Sequence, residues 1–195
     1  MNLNKLKNRV HGNAIKRSVR NDIKSMDEYF VLIHYEVSLA LAVDINGYWF
    51  AKTEFASYLF DWLKVKYDDD CIEDFLEGYG SNIKDTFEDK LANVIIRTLD
   101  LCGYYEVDIN KIINKCEIDN PFKHAKSIAG KLLVLHNLIT YAVTNDNDYR
   151  PGQGKKYDET SIVRIIMATL ELAKQLNINI EKHIEISMIY KEKRN

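Results

Sequence analysis

Residues 85–100 have the sequence DTFEDKLANVIIRTLD, which combines a helix-capping signal with a periodic apolar face. Asp85 or Thr86 is placed to cap a helix, because a side-chain oxygen just before the first turn accepts a hydrogen bond from a free backbone N–H. Apolar residues then recur at the three- and four-residue spacing of one helix face. That face consists of Leu91, Val94, Ile95, Thr98, Leu99 and Cys102. The stretch therefore predicts an amphipathic helix.

The same periodicity predicts helices over most of the chain. Their approximate ranges are 2–24, 25–44, 52–67, 109–118, 128–144, 158–176 and 179–191. Ser25 and Glu28 have capping-box spacing at the start of the second helix, and Asp108 is placed to cap the helix predicted over 109–118. The second helix is apolar around most of its circumference, so we expect it to be central. Gly78 and Gly80 predict a loop, and residues 145–154 predict a long polar loop.

Composition limits the class of protein. The chain has 195 residues, 46% of them hydrophobic and 29% charged, which suits one folded domain or two fused halves. Only two prolines and eight glycines interrupt it, and this favours an all-α fold of long helices. The formal charge of −2 disfavours nucleic acid as a partner.

The location is predicted from what the chain lacks. The first residues hold no apolar signal segment, and no apolar run approaches the ~18 residues of a membrane span. We therefore expect no membrane partner. Cys71, Cys102 and Cys116 form no CxxC pair, so they are interpreted as reduced, mostly buried thiols of a cytoplasmic protein.

The two halves of the chain resemble each other. Residues 88–120 align without gaps to residues 159–191, and upstream His34 matches His136. Chance similarity between apolar helices is the competing explanation. We predict a helical bundle with an internal duplication, in which residues 1–120 form the first half. Residues 121–195 form a second, more degenerate half packed on the first.

Several segments resemble the MazG-like and dimeric dUTPase-like superfamily of all-α nucleoside triphosphate pyrophosphohydrolases. Residues 10–14, VHGNA, are similar to its opening helix. Residues 32–40, LIHYEVSLA, are similar to the family's LIHSEVSEA, and residues 85–100 follow DTFEDELADVIIRLLD. Residues 183–194, HIEISMIYKEKR, resemble the tail HIEEKMAYNKTR, and residues 120–124, NPFKH, resemble a shortened N…RPYKHG.

This resemblance implies a helical bundle that cleaves a nucleotide to a monophosphate and pyrophosphate with Mg²⁺. The family holds the metal with an ExxE pair and an ExxD pair on facing helices, since residues three apart share a helix face. The ExxE positions here are Glu36 and Leu39, and the ExxD positions are Lys90 and Asn93. One of the four carboxylates survives. The matching positions of the second half are Leu138, Tyr141, Ser161 and Arg164, none of them a carboxylate.

Lys90 places a positive charge where the cation would sit, and we expect it to pair with Glu36. Asp89 and Glu88 lie about 100° and 200° around the helix from Lys90, so neither is expected to point into the same site. Two interpretations stay open. Either the pair is only structural, or Lys90, Asn93 and Arg97 hold the phosphates of a nucleotide.

The sequence thus predicts a catalytically inactive relative that binds or sequesters a nucleotide or acts as an interaction module. The alternative is an active Mg²⁺-dependent nucleoside triphosphate pyrophosphohydrolase. Candidate nucleotide-binding residues are Glu36, Lys90, Asn93, Arg97, Lys123, His124 and Arg194. No catalytic residue and no metal ligand is assigned, and a cofactor, Mg²⁺, is expected only under the alternative. Because family members assemble as dimers or tetramers, the resemblance also implies a homodimer.

Overall fold

The computed structural model describes residues 1–16, 26–50, 61–63, 71–115, 120–144 and 158–194, and within these ranges it contains helices and no strand. The helices are α1 (Leu3–Lys16), α2 (Met26–Ile45), α3 (Ile72–Asn82), α4 (Phe87–Tyr104), α5 (Ile109–Ile113), α6 (Ile128–Thr144), α7 (Glu159–Gln175) and α8 (Ile180–Lys193). The prediction of an all-α fold is confirmed. The pyrophosphohydrolase type of bundle stays a prediction.

Helix starts follow the capping residues of the sequence. The caps of α4, α5, α7 and α8 are Thr86, Asp108, Asp158 and Asn179. Each side chain accepts a hydrogen bond from a backbone N–H of the first turn, as from Lys111 to Asp108 at 3.1 Å. These hydrogen bonds satisfy donors that have no partner inside the helix, so the helix starts where they form.

Two sequence predictions on this level are wrong. Gly78 and Gly80 lie inside α3 and mark no loop. A Cβ added to Gly78 would come within 3.0 Å of both Trp62 and Leu63, so the glycine lets these side chains approach the helix. The helix predicted over 109–118 ends at Ile113. Residues 17–25, 52–60, 64–67, 116–118 and 145–154 lie outside the described residues, and with them the predicted Ser25 cap, most of the helix predicted over 52–67 and the predicted polar loop.

The central helix is α4, whereas the sequence predicted α2. Helices α1, α2, α7 and α8 all pack against α4, and its polar residues Asp89 and Asn93 are buried along with its apolar face. Helix α2 contacts α4 and α6 but leaves Val31 64% exposed and Tyr35 57% exposed. An apolar circumference therefore does not identify the helix that the others surround.

A smaller apolar cluster holds α3 against α8. It consists of Phe50, Leu63, Phe75, Tyr79, Ile83, Ile186 and Ile189. This cluster is separate from the main core, to which α1, α2, α4, α5, α6, α7 and another face of α8 contribute. It brings the C-terminal helix beside the start of α4, and a cavity opens at that place.

The α4–α5 and α7–α8 corners share one backbone geometry. Glu106 and Asn177, which the alignment of the halves matches, both have a left-handed φ, at 54° and 55°. The next residue of each corner, Val107 or Ile178, donates its N–H to a helix carbonyl at 2.9 Å. This left-handed residue followed by a bond to the carbonyl five residues back is the Schellman motif, which ends many unrelated helices. The internal duplication and the division at residue 120 therefore stay predictions.

The matched histidines of the two halves touch each other. His34 of α2 and His136 of α6 stack with ring centroids 5.1 Å apart and Nδ1 atoms 2.8 Å apart. Both rings are half-buried, and burial lowers the pKa of each below its ordinary value. Neutral rings allow one Nδ1–H to donate to the other Nδ1.

Gly103 lets α1 pack closely on α4. A Cβ at this position would lie 2.5 Å from both Cβ and Cγ of His11, whose Nδ1 is 2.9 Å from Asp100 Oδ1. We expect Gly103→Ala to lower the free energy of unfolding by about 2 kcal/mol, because α1 has to move outward. Urea unfolding measures this loss. Gly12→Ala is the control, since a Cβ there meets nothing within 4 Å, and an equal loss in both variants would contradict the close contact.

No helix of the described ranges is long and apolar enough to cross a membrane. Cys102 is a buried thiol, and burial raises its pKa to about 12, so this thiol stays protonated at neutral pH. Cys116 lies outside the described residues.

Candidate functional site

A cavity of about 600 Å³ lies between α2, α3, α4 and α8. Its lining residues are Tyr35, Glu36, Leu39, Tyr79, Lys84, Asp85, Asp89, Lys90, Asn93, Tyr190, Lys191 and Arg194. The structure therefore brings together the two positions on α2 and the two on α4 that the resemblance assigns to metal carboxylates. Arg194, from the C-terminal end of the chain, lines the same cavity.

Lys90 pairs with Asp85, and the sequence prediction of a pair with Glu36 is wrong. The Lys90 ammonium contacts the carboxylate of Asp85, in the turn before α4. Glu36 Oε1 lies 3.6 Å from Nε of Arg97. Arg97 stands seven residues after Lys90, which is two turns further along the same face of α4. Which of the two residues Glu36 contacts therefore depends on the height at which α2 crosses α4.

Asp89 lies in the wall of the cavity, and the prediction that it points away is also wrong. Its carboxylate accepts hydrogen bonds from the Tyr79 hydroxyl, from the backbone N–H of Asp85 at 3.2 Å and from the Asn93 amide at 3.3 Å. The cavity extends around the start of α4 toward α3. Its wall therefore includes Asp89 as well as the helix face that carries Lys90. Glu88 lies outside this lining and accepts the backbone N–H of Phe50 at 2.8 Å.

Asn93 joins α4 to α8. Its side-chain oxygen accepts hydrogen bonds from the Ser187 hydroxyl at 3.4 Å and from the Lys191 ammonium, while its amide donates to Asp89. Asn93 is therefore at the centre of a polar network that links two walls of the cavity. An aspartate would accept the same two hydrogen bonds from α8 but would face the carboxylate of Asp89.

Two tyrosines form an aromatic wall. The rings of Tyr79 and Tyr190 stack with centroids 4.3 Å apart, and the Arg194 guanidinium lies 5.9 Å from the Tyr190 centroid. Burial raises the pKa of Tyr79 well above its ordinary value, and the neighbouring Asp89 charge raises it further. The phenol stays protonated and donates to Asp89.

Sequence reasoning missed Tyr79, Tyr190, Lys84 and Lys191 as residues of this site. Tyr79 stands between the two glycines that predicted a loop, where a helical face was not expected. Tyr190 and Lys191 belong to the tail segment that resembles the family, and this segment was the available signal. The lysine and tyrosine types alone do not distinguish a cavity wall from a solvated helix face.

Lys123 and His124 do not join the cavity. Both are exposed in the turn after Asn120, and neither lines the site. Phe122, directly before them, is buried in the main core and anchors this turn there. Arg97 also lies outside the lining but reaches the site through its ion pair with Glu36.

The side chains of the cavity do not fit a Mg²⁺ site. Mg²⁺ takes about six oxygen ligands in octahedral geometry. Glu36 is paired with Arg97, Asp89 already accepts three hydrogen bonds, and the Lys90 ammonium lies in the same wall. Within the described part of the chain, no group of three or more His, Cys, Asp or Glu side chains is placed to hold a metal ion.

Comparison of the chain with family models, with curated proteins and with solved structures gives no match. The resemblance to the all-α pyrophosphohydrolases therefore stays a prediction from sequence. The functional assignment rests on the geometry and charge of the cavity.

Proposed function

We propose that this chain binds a nucleotide in the cavity between α2, α3, α4 and α8 and does not cleave it through Mg²⁺. The observation that carries the proposal is the stacked Tyr79–Tyr190 pair beside a basic wall. A nucleotide joins a flat aromatic base to an anionic phosphate group. Tyr190, the less buried ring of the stacked pair, offers a surface for the base, and the basic residues offer charge-assisted hydrogen bonds to the phosphates.

The size and charge of the cavity suit this ligand. About 600 Å³ is within the usual range for small-molecule sites. Four basic residues line it, against three acidic ones. The basic residues are Lys84, Lys90, Lys191 and Arg194. A ligand with several negative charges is therefore favoured over a neutral nucleoside.

Binding without hydrolysis follows from the replaced carboxylates. A metal that activates water needs open coordination sites and a fixed set of oxygen ligands. The ammonium of Lys90 lies where the resemblance places a carboxylate, and it repels a divalent cation. The proposal therefore has the nucleotide held by protein cations instead of by bound Mg²⁺.

Isothermal titration calorimetry tests the proposal. The ligands are the four ribonucleoside triphosphates and the corresponding nucleosides, each with and without Mg²⁺, together with an assay for released pyrophosphate. We expect a triphosphate to bind without Mg²⁺ and no pyrophosphate to form. Released pyrophosphate would favour the active enzyme instead. No binding of any ligand would favour an interaction module that only uses this fold.

Tyr190→Leu tests the aromatic wall. Leucine keeps apolar volume but removes the ring on which a base would stack, so we expect nucleotide affinity to fall about tenfold, within the 1–3 kcal/mol of a base–aromatic stack. Calorimetry measures the dissociation constant, and a thermal melt verifies the fold. Tyr105→Leu is the matched control, because Tyr105 is exposed and outside the cavity. Equal affinity in both variants would exclude stacking on Tyr190.

A further inference from the structure

The turn between α3 and α4 places a carboxylate against two cations of the cavity. Asp85 contacts the Lys90 ammonium through one carboxylate oxygen, and its other oxygen lies 3.8 Å from Nζ of Lys84. The three partners differ in exposure. The side chain of Asp85 is 63% exposed, that of Lys84 is 42% exposed and that of Lys90 is 9% exposed. An exposed acid thus compensates a nearly buried base.

We propose that Lys84 and Lys90 bind the phosphoryl end of the nucleotide, and that the carboxylate of Asp85 occupies this anion site in the free protein. This inference rests on the proposed function and extends it, because it locates the phosphates and names an internal competitor for them. Entry of a phosphate displaces the Asp85 side chain from the two lysines and releases it to solvent.

The charges favour this exchange. A nearly buried ammonium needs an anionic partner, since an unpaired charge is costly to bury. The carboxylate of Asp85 meets that need, and because its side chain is 63% exposed it can leave the lysines for solvent without burying its own charge. A terminal phosphate carries more negative charge and more acceptor oxygens than a carboxylate, so it is the stronger partner for the two lysines.

The backbone allows the exchange without a change of the turn. Asp85 has a φ of 66°, in the left-handed region where aspartate and asparagine are enriched among non-glycine residues. Its backbone N–H donates to Asp89 Oδ2 at 3.2 Å, which holds the turn in place independently of the side chain. Displacement therefore needs only rotation of the Asp85 side chain.

Asp85→Asn is the variant that isolates the charge. Asparagine has nearly the same shape and tolerates the positive φ, so the turn is kept while the competing carboxylate is removed. We expect its affinity for a nucleoside triphosphate and for inorganic tripolyphosphate to rise about tenfold, as when an internal competitor occupies about nine-tenths of the molecules. Affinity for the nucleoside should not change. Asp85→Gly, which also accepts this φ, is the second variant if the first fails to fold.

Glu77→Gln is the matched control, because it removes one negative charge from an exposed position of α3 outside the cavity lining. Calorimetry on the full chain measures the dissociation constants of a nucleoside triphosphate, the nucleoside and tripolyphosphate for the unmodified chain, Asp85→Asn and Glu77→Gln. A gain in Asp85→Asn for both phosphate ligands, absent from Glu77→Gln, supports the inference. Unchanged or weaker binding of the triphosphate in Asp85→Asn would overturn it while leaving the proposed function intact.

The other outcomes separate the two proposals. If tripolyphosphate binds more tightly in Asp85→Asn but the nucleotide shows no advantage over tripolyphosphate, the anion site stands and the nucleotide function fails. If neither ligand binds to the unmodified chain or to the two variants at Asp85, both proposals fail.

Discussion

A chain carrying Leu39→Glu, Lys90→Glu and Asn93→Asp is expected to bind Mg²⁺ and to need it for full stability. The three positions line one cavity with Glu36 and Asp89, so the substitutions gather carboxylates around one space. Without metal these charges repel one another, and with metal they become ligands. A ligand at a hundredfold excess over its dissociation constant stabilises the native state by about 2.7 kcal/mol. For a chain of this size that is a rise of roughly 5–10 °C in Tm.

Thermal melts in EDTA and in Mg²⁺ measure the effect, and the unmodified chain is expected to show no such difference. The matched control carries Leu39→Gln and Lys90→Gln, which keep the side-chain sizes close and add no carboxylate. If the triple variant folds and its Tm is the same in EDTA and in Mg²⁺, these positions do not form a lost metal site. Pyrophosphate released from a nucleoside triphosphate by the triple variant would further support the resemblance from which the four positions come.

Helix starts were predictable because the signal is local. A capping side chain and the N–H that it accepts lie within three residues, as with Asp108 and Lys111 or Asn179 and Lys182. The sequence therefore contains both partners of the interaction in one short window. The same locality explains the correct bounds of α6, where an apolar period decides the answer and the internal glycine, Gly130, lies in the first turn.

The partners of the site residues were not predictable in the same way. Lys90 has acidic residues at comparable reach on α2 and on the turn before α4, and periodicity does not rank Glu36 against Asp85. Only the height at which α2 crosses α4 decides that Glu36 meets Arg97. The position of Asp89 in the cavity wall was not predictable either. The direction of its side chain on the helix can be read from the sequence, but the extent of the cavity around the start of α4 cannot.

Which helix lies at the centre of the bundle also could not be predicted from side-chain type. Helices α2 and α4 both have apolar faces, yet α4 buries even Glu88 and Asp100, while α2 leaves Val31 and Tyr35 exposed. Tyr79 illustrates the converse. The two glycines beside it predicted a loop, but Tyr79 forms a wall of the site because Leu63 and α8 pack around α3.

The pH dependence of stability is expected to depend on His183. This residue of α8 is 3% exposed and meets the Phe50 ring edge to face at 5.4 Å. Burial lowers the pKa of His183 from 6.5 to about 3. Because the folded pKa lies below the unfolded one, the unfolded state binds the proton more readily as the pH falls below 6.5. The stabilisation is complete above pH 6.5 and is lost progressively toward pH 3.

One proton corresponds to about 1.36 kcal/mol per pH unit, and the unfolded-state ring is already half protonated at pH 6.5, so this group alone lowers the free energy of unfolding by about 2 kcal/mol between pH 6.5 and 4.5. Burial lowers the pKa of half-buried His34 and His136 in the same direction, and they add a smaller slope. His183→Leu removes the titrating ring and keeps an apolar side chain, so urea unfolding at pH 6.5, 5.5 and 4.5 should show a slope smaller by about one proton. The exposed His124, changed to glutamine, is the control that should keep the full slope. Equal slopes in the unmodified chain and in His183→Leu would mean that the ring is already charged inside the folded protein, and the acid loss of stability would then originate at other groups.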